Sequence, residues 1–427
     1  KGVKTLLRTL RIPYGQGELS FQLPGDLEVR EARLNSLPEI DTQAELARAL
    51  AEPIASPPLE ELAAGAKSVL IICDDNTRPT PAHLILPAML ARLEAAGVER
   101  GGISILIAGG SHRPMTEDEL RAKVGHQVFE SVPVFNHEYA NKEKLVYLGD
   151  TANGTPIWIN KMVFEADLVL AVGGIVPHRY CGWSGGGKII QPGVCGEETT
   201  IATHLMITKD ESITLGNIDN PVRAEIDEIA LKAGLKFIVN VIMDADQRVV
   251  GLVAGDPIKA HRSGVEIAKQ VYGVAMQRAD LVIISSFPAD LNFWQAGKAL
   301  YSADLAVQQG GRIILVTPAI EGPGEHLEFL TLMSRPYEEI MAAVERGEVE
   351  DKIGAAGALA VALVKQRAQV KLVSDGLTDE QCAWMGFPHY AASELQQAVD
   401  EALAELGGRP TINVIHEGAE ILPLLDR

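Results

Sequence analysis

The sequence predicts an α/β protein of two domains with mainly parallel sheets and an active site in the cleft between them. Short, continuously apolar runs such as SVLIIC at 68–73 and ADLVLAV at 166–172 have the length and saturation of strands buried on both faces, as parallel pairing requires. The composition is 47% apolar but only 5% aromatic, with 40 glycines, which suits strands covered by small-residue helices. A chain of 427 residues exceeds one core, and the pattern breaks near Val274, giving domains over 1–274 and 275–427.

In chain order, residues 3–23 alternate apolar and polar side chains around Gly15-Gln16-Gly17 and predict a hairpin at a sheet edge. A helix opens on Asp41-Thr42 and runs to residue 50, and the 68–73 strand follows. That strand empties into DDNTRPTP (74–81) and a helix over 84–96. Here Asp75 can be an ordinary cap, or it can steady Arg78 as a bidentate clamp for a carboxylate or phosphate; the local residues leave both readings open. The strand at 103–107 runs into Gly109-Gly110 and His112, and Thr116 with Glu119 predicts a capping box. His112, like Arg78, therefore sits at the carboxyl end of a strand. Strands at 132–135, 145–148 and 166–172, then a hairpin of 237–243 with 249–254 and a helix over 261–272, complete the first domain. The second begins with a strand in 279–288, after which DLNFWQAGKAL places Trp294, Gln295 and Lys298 on the first turns of a helix. Strands at 311–317, 370–373 and 411–414 and helices at 338–346, 355–367 and 393–406 finish it, with a Gly-Pro loop at 318–326.

The charge balance excludes some partners. With 38 basic and 57 acidic residues the formal charge is −19, so a nucleic-acid backbone is repelled over most of the surface. No run approaches the roughly 18 apolar residues of a membrane span. The first residues lack a signal-peptide core, and the four cysteines lack CxxC spacing, so a cytoplasmic protein with reduced thiols is expected. Cys181 and Cys195 read as small buried fillers, with a ligand role left open.

Residues 169–204, VLAVGGIVPHRYCGWSGGGKIIQPGVCGEETTIATH, concentrate the special chemistry. A strand that empties into glycines, a lysine and two histidines is how an α/β protein builds a site for a phosphorylated or metal-bearing ligand. GWSGGGK half-matches a P-loop, but Ile189 stands where a Mg²⁺-holding Ser or Thr is required, so a P-loop NTPase is not expected. Phosphate contact by the Ser184 hydroxyl and by the amides of Gly185 and Gly186 fits the same residues.

PHRYCGWSGGGKIIQPG (177–193), DDNTRP (74–79), GGSHRP (109–114) and FWQAGK (293–298) together resemble the nickel-pincer-nucleotide lactate racemase family, across both predicted domains. The resemblance implies that Lys188 carries the cofactor through a thioamide bond. This cofactor is a nickel pincer nucleotide, the pyridinium-3-thioamide-5-thiocarboxylic acid mononucleotide with Ni(II). It implies further that His204 binds the metal and that His112 and His178 are paired acid/base groups. Asp75, Thr77, Ser184, Gly185 and Gly186 would surround the cofactor, and Arg78, Trp294, Gln295 and Lys298 a small 2-hydroxy acid substrate. Cofactor-maturation proteins are implied as partners; the oligomeric state is left open.

The residue types suit that chemistry. Inverting C2 by hydride transfer needs a hydroxyl proton removed from two different places for the two enantiomers, and histidine is the side chain whose ordinary pKa fits both. The hydride acceptor must be an organic cofactor. Two departures from the family pattern, Trp294 where lactate-specific members have Tyr, and no Trp in DKIGAAGA (351–358), widen the expected substrate to 2-hydroxy acids larger than lactate. Two other classes stay open: a zinc enzyme using His112, His178 and His204 as a three-histidine site, and a non-catalytic binding module.

Overall fold

The computed structural model describes residues 6–208 and 210–425. The chain divides into two compact units, one of residues 36–271 and one that joins the residues up to Asn35 to those from Tyr272 onward.

The 36–271 unit is built on a six-stranded sheet in the order Val249–Gly255, Leu235–Met243, Leu168–Gly174, Val69–Asp74, Ile103–Ala108, Val134–Asn136. All neighbours are parallel except the hairpin of the first two strands. Successive side chains of a strand point to opposite faces, so each face needs its own cover. Ile71, Cys73, Ile105, Leu170 and Phe237 pack with Leu86 and Leu90 of the helix Ala82–Ala95 on one face. Leu70, Ile72, Leu106, Val169 and Ile238 pack with Ile189, Ile190 and Ile229 on the other. That is why these strands read as unbroken apolar runs. Each such side chain is worth about 1.5–3 kcal/mol buried, so the apolar residues just after the glycine turn tie it firmly to the sheet. The parallel strands deliver Asp74, Ala108 and Gly174 to one end of the sheet, where the candidate site begins.

In the other unit a second sheet of six parallel strands runs His389–Tyr390, Gln369–Val373, Val307–Val316, Ala279–Ser285, Ile412–Ile415, Val29–Ala32. The hairpin Leu7–Tyr14 with Gly17–Pro24 is a separate two-stranded sheet rather than an extension of an edge. Its inward side chains Leu10, Ile12, Phe21 and Leu23 lie on the sheet face formed by Leu281, Ile283 and Ile314. Alternation marked a one-sided apolar ribbon correctly, but such a ribbon can bury its side against a sheet face as well as pair at an edge.

The helices Pro221–Lys232, Leu327–Leu332 and Asp379–Met385 were not anticipated. Among the described residues no helix is long and apolar enough to cross a membrane.

Candidate functional site

The Val69–Asp74 strand ends at two acids with different tasks. Asp74 forms an ion pair with buried Lys123 at 2.7 Å and accepts from Thr80 Oγ1 at 2.5 Å. Lys123 Nζ also donates to the carbonyls of Asp75 (3.0 Å) and Arg78 (2.9 Å), so one buried cation closes the turn. Asp75 Oδ1 accepts from Thr77 N at 3.2 Å and Thr77 Oγ1 at 2.6 Å, and Oδ2 meets His112 Nδ1 at 2.7 Å. Burial alone would raise the Asp75 pKa, but His112, Thr77 and Arg78 outweigh it and hold the carboxyl well below the usual range. A carboxylate can only accept, so the neutral His112 ring carries its proton on Nδ1 and its lone pair on Nε2. Asp75 does not hold Arg78 directly: Arg78 Nη1 donates to Thr77 O at 3.0 Å and Thr77 Oγ1 at 3.2 Å, and Thr77 is the link.

After the Leu168–Gly174 strand the chain is fastened back on itself by Ser184. Its hydroxyl accepts from Val176 N and donates to Gly174 O, both at 2.8 Å, and Ser184 N donates to Val176 O at 2.8 Å. Gly185 and Gly186 have φ of 79° and 56°, and neither has room for a side chain. A Cβ on Gly185 would lie 2.8 Å from Asn240 Oδ1, and one on Gly186 2.7 Å from His261 Cγ. Three side chains hold the turn from behind. Asn240 Oδ1 accepts from Gly186 N at 2.9 Å, His261 Nε2 donates to Ser184 O at 2.7 Å, and Arg223 donates to the carbonyls of Cys181, Trp183 and Gly185. None of these was singled out from the sequence. Asn220-Pro221 was a readable start signal for the helix that carries Arg223, but nothing local tied that helix to the turn.

Lys188 closes the turn with its side chain partly buried. Among the described residues, no hydrogen bond or ion pair fixes its amine. Burial, helped by the positive charges of Arg78 and Arg223 and opposed by Cys181 and Asp75, pulls its pKa down to about 8. The Asp75–Arg78 turn and the glycine turn thus share one electrostatic neighbourhood.

His178 lies on the short strand pair Pro177–His178 and Gly182–Trp183, and its Nδ1 accepts from Tyr180 N at 3.3 Å. A backbone N–H can only donate, so the neutral ring carries its proton on Nε2, the opposite arrangement to His112. Tyr180 stands between two histidines, its ring centroid 5.6 Å from His178 and 4.9 Å from His204. It went unnoticed in the sequence, since an aromatic in a loop carries no distinguishing signal. His204 ends the helix Glu197–His204 and donates from Nδ1 to Thr200 O at 2.9 Å, which puts its lone pair on Nε2.

The three-histidine zinc centre is not assembled. His112 is engaged by Asp75 while His178 and His204 flank Tyr180, and among the described residues no three His, Cys, Asp or Glu side chains are grouped to hold a metal ion. All four cysteines are free and buried. Burial pushes the Cys195 thiol far up, as suits an inert filler, whereas Cys181 Sγ stands 3.4 Å from His178 Nδ1.

In the other unit Asn292 caps the short helix Phe293–Ala296, and Lys298 Nζ donates to Gln295 Oε1. The Trp294 ring lies 4.3 Å from the ring of His326 and edge-on to Phe329 at 5.0 Å. A Cβ on Gly357 would stand 2.7 Å from Trp294 Cζ3. The indole is therefore lodged on the segment 351–358 that has no aromatic of its own. His326 Nδ1 pairs with Asp351 Oδ2 at 2.8 Å, while Asp351 Oδ1 caps the helix Lys352–Arg367.

Residues 14–216 match the family model of the lactate racemase N-terminal domain, and residues 274–422 that of the lactate racemase C-terminal domain. A lactate racemase of Thermoanaerobacterium thermosaccharolyticum is 30% identical over 425 residues, covering 97% of this chain and 99% of that one. One of Lactiplantibacillus plantarum is 30% identical over 422 residues, covering 96% and 98%. The solved lactate racemase apoprotein of T. thermosaccharolyticum superposes with a TM-score of 0.88, covering 98% of this chain and 100% of that one. A Thermotoga maritima protein shares the fold at 21% identity, with a TM-score of 0.73 and coverage of 92% and 100%.

Proposed function

The chain belongs to the lactate racemase family, and from that premise we propose that it inverts C2 of a 2-hydroxy acid with a nickel pincer nucleotide tethered to Lys188. The observation that carries this reading is the state of the Lys188 amine, which has a pKa drawn down to about 8 and is held by no hydrogen bond or ion pair among the described residues. An amine must be neutral to form a thioamide, so this environment suits attachment better than a salt bridge would. The glycine turn beside it is packed closely against Asn240 and His261, which fixes the backbone that carries the amine. His204, its Nδ1–H anchored on Thr200 O, presents Nε2 as a single imidazole donor, which fits a metal whose other donors arrive with the cofactor. When bound, the nucleotide supplies the hydride acceptor that no side chain can provide.

The chain's own residues handle the proton and the carboxylate. His112, steadied by Asp75 and bearing its lone pair on Nε2, accepts the hydroxyl proton of one enantiomer. His178, with its proton on Nε2, returns a proton on the opposite side, and the two exchange roles for the reverse direction. In the 36–271 unit Arg78 is the proposed partner of the substrate carboxylate; in the other unit Gln295 and Lys298 are the proposed polar substrate-binding groups and Trp294 the proposed side-chain contact. Trp294 over Gly357 is a different surface from the Tyr and Trp of the lactate-specific pattern, so the proposed substrate class is 2-hydroxy acids, lactate included. The reading includes dedicated maturation proteins that build and load the nucleotide.

Intact-mass measurement of protein made with and without the cofactor pathway tests the tether. The expected result is a nucleotide mass on Lys188 only with the pathway, lost in Lys188→Ala, together with racemisation of C2-deuterated 2-hydroxy acids that retains the label. Racemisation by protein whose Lys188 is unmodified rejects the reading.

A further inference from the structure

We propose that Arg223 is a positioning residue for Lys188: the turn of residues 181–188 is wound around its buried guanidinium, and this winding sets where the amine stands. Arg223 is 1% exposed, yet its main partners are carbonyls rather than a carboxylate. Nε donates to Cys181 O at 3.4 Å, Nη1 to Gly185 O at 3.4 Å and Nη2 to Trp183 O, so alternate residues of one turn converge on one planar fork. Its only described ion-pair partner is Asp227, at 3.4 Å on the next turn of its helix. A buried cation is costly unless the groups around it are ordered for it. Here those groups belong to the loop that carries the proposed attachment point.

The register of the loop is set from the same helix. Asn220 Oδ1 caps Arg223 N at 3.0 Å and Asn220 Nδ2 donates to Asn217 O at 2.6 Å, while a Cβ on Gly182 would lie 2.0 Å from that same carbonyl. Loop and helix start thus meet at backbone contact. Arginine is required because five fixed donors can serve three carbonyls at once, which a lysine ammonium cannot match in plane. A second effect follows from charge. The groups acting on the Lys188 amine are Arg78 and Arg223 on one side of the balance and Asp75 and Cys181 on the other, so removing Arg223 favours the protonated amine.

The inference rests on the proposed tether at Lys188, but it can be judged without it. Cofactor-free wild type, Arg223→Lys and Arg223→Met are labelled with acetic anhydride across pH 6–10, and the Lys188 peptide is quantified by mass spectrometry. Hydrogen exchange of residues 181–188 and adduct occupancy after production with the cofactor pathway are read in parallel. Wild type should show a labelling midpoint near pH 8. Arg223→Met should move it up, with a smaller fraction of neutral amine at a fixed lower pH. Arg223→Lys, which keeps the charge, should leave the midpoint near the wild-type value but speed exchange of the turn at least tenfold and leave adduct on a minority of chains. Wild-type exchange in folded Arg223→Lys overturns the proposal, as does a wild-type midpoint in folded Arg223→Met. If Arg223→Met does not fold, the lysine variant decides alone. If wild type takes no adduct, the tether reading fails while the exchange and labelling still decide the role of Arg223.

Discussion

Replacing Gly357 with alanine tests where the Trp294 indole rests. In a helix interior such as Lys352–Arg367, alanine is about 1 kcal/mol better than glycine, so at an exposed position the change would stabilise. Here the new Cβ would stand 2.7 Å from Trp294 Cζ3, 3.1 Å from Cη2 and 3.2 Å from Phe329 Cε2. Carbon pairs prefer about 3.5–4.0 Å, so the ring must retreat by about 1 Å, which disturbs its tilted 4.3 Å contact with His326. Overpacking of this kind costs about 1–3 kcal/mol. Subtracting the propensity gain leaves a net destabilisation of about 0–2 kcal/mol, opposite in sign to the propensity effect. Urea midpoints give the stability, and kcat/KM across 2-hydroxy acids of increasing side-chain size gives the functional effect, expected to reorder the series by up to about tenfold for a ~1.4 kcal/mol change. A variant stabilised by the full ~1 kcal/mol with its substrate ranking unchanged would refute the placement of the ring.

Asp75→Asn should cost about 1.5–3 kcal/mol at neutral pH, since it removes the charged acceptor of His112 and Thr77. Because the folded pKa of Asp75 lies below its unfolded value near 3.9, its contribution is complete above that value and declines as pH falls toward the folded one. The gap in urea midpoint between wild type and variant should therefore narrow below about pH 4; a gap constant from pH 3 to 8 would contradict the electrostatic account. His204→Ala should lose nickel from cofactor-loaded protein while the nucleotide mass on Lys188 persists, as checked by elemental analysis beside intact mass; full nickel content would remove His204 as the ligand. His112→Asn and His178→Asn should each lower racemisation by about 10²–10⁴-fold, and a wild-type rate in either variant excludes that ring as an acid/base group.

The sheet end and its glycines were readable in advance because their signals are local. Apolar runs that stop at Asp74, Ala108 and Gly174 mark strand ends, and the residues that follow them cannot be ordinary loop filler. His112 beside Asp75 was half-readable: each was visible at its own strand end, but their 2.7 Å contact depends on parallel pairing of the two strands. Arg223, Asn240 and His261 were invisible for the same reason in stronger form. His261 is 77 residues from the carbonyl it serves and Asn240 is 54 from its amide, and a polar residue in a helix or strand reads as solvated until the fold brings its partner near. Trp294 shows the converse case. The absence of an aromatic at 351–358 read as open space, whereas the indole from another segment lies against Gly357.

The pairing of Val29–Ala32 with Ile412–Ile415 sets a schedule for biosynthesis. The ribosome makes one partner about 380 residues before the other, a wait of roughly 20–80 seconds at about 5–20 residues per second. Throughout that interval the oily side of the first hairpin, Leu10, Ile12, Phe21 and Leu23, has no completed surface to dry against, while the intervening 36–271 segment already contains everything its own sheet requires. Nascent chains stalled before residue 412 should therefore hold a protease-resistant 36–271 segment and a chaperone-dependent hairpin.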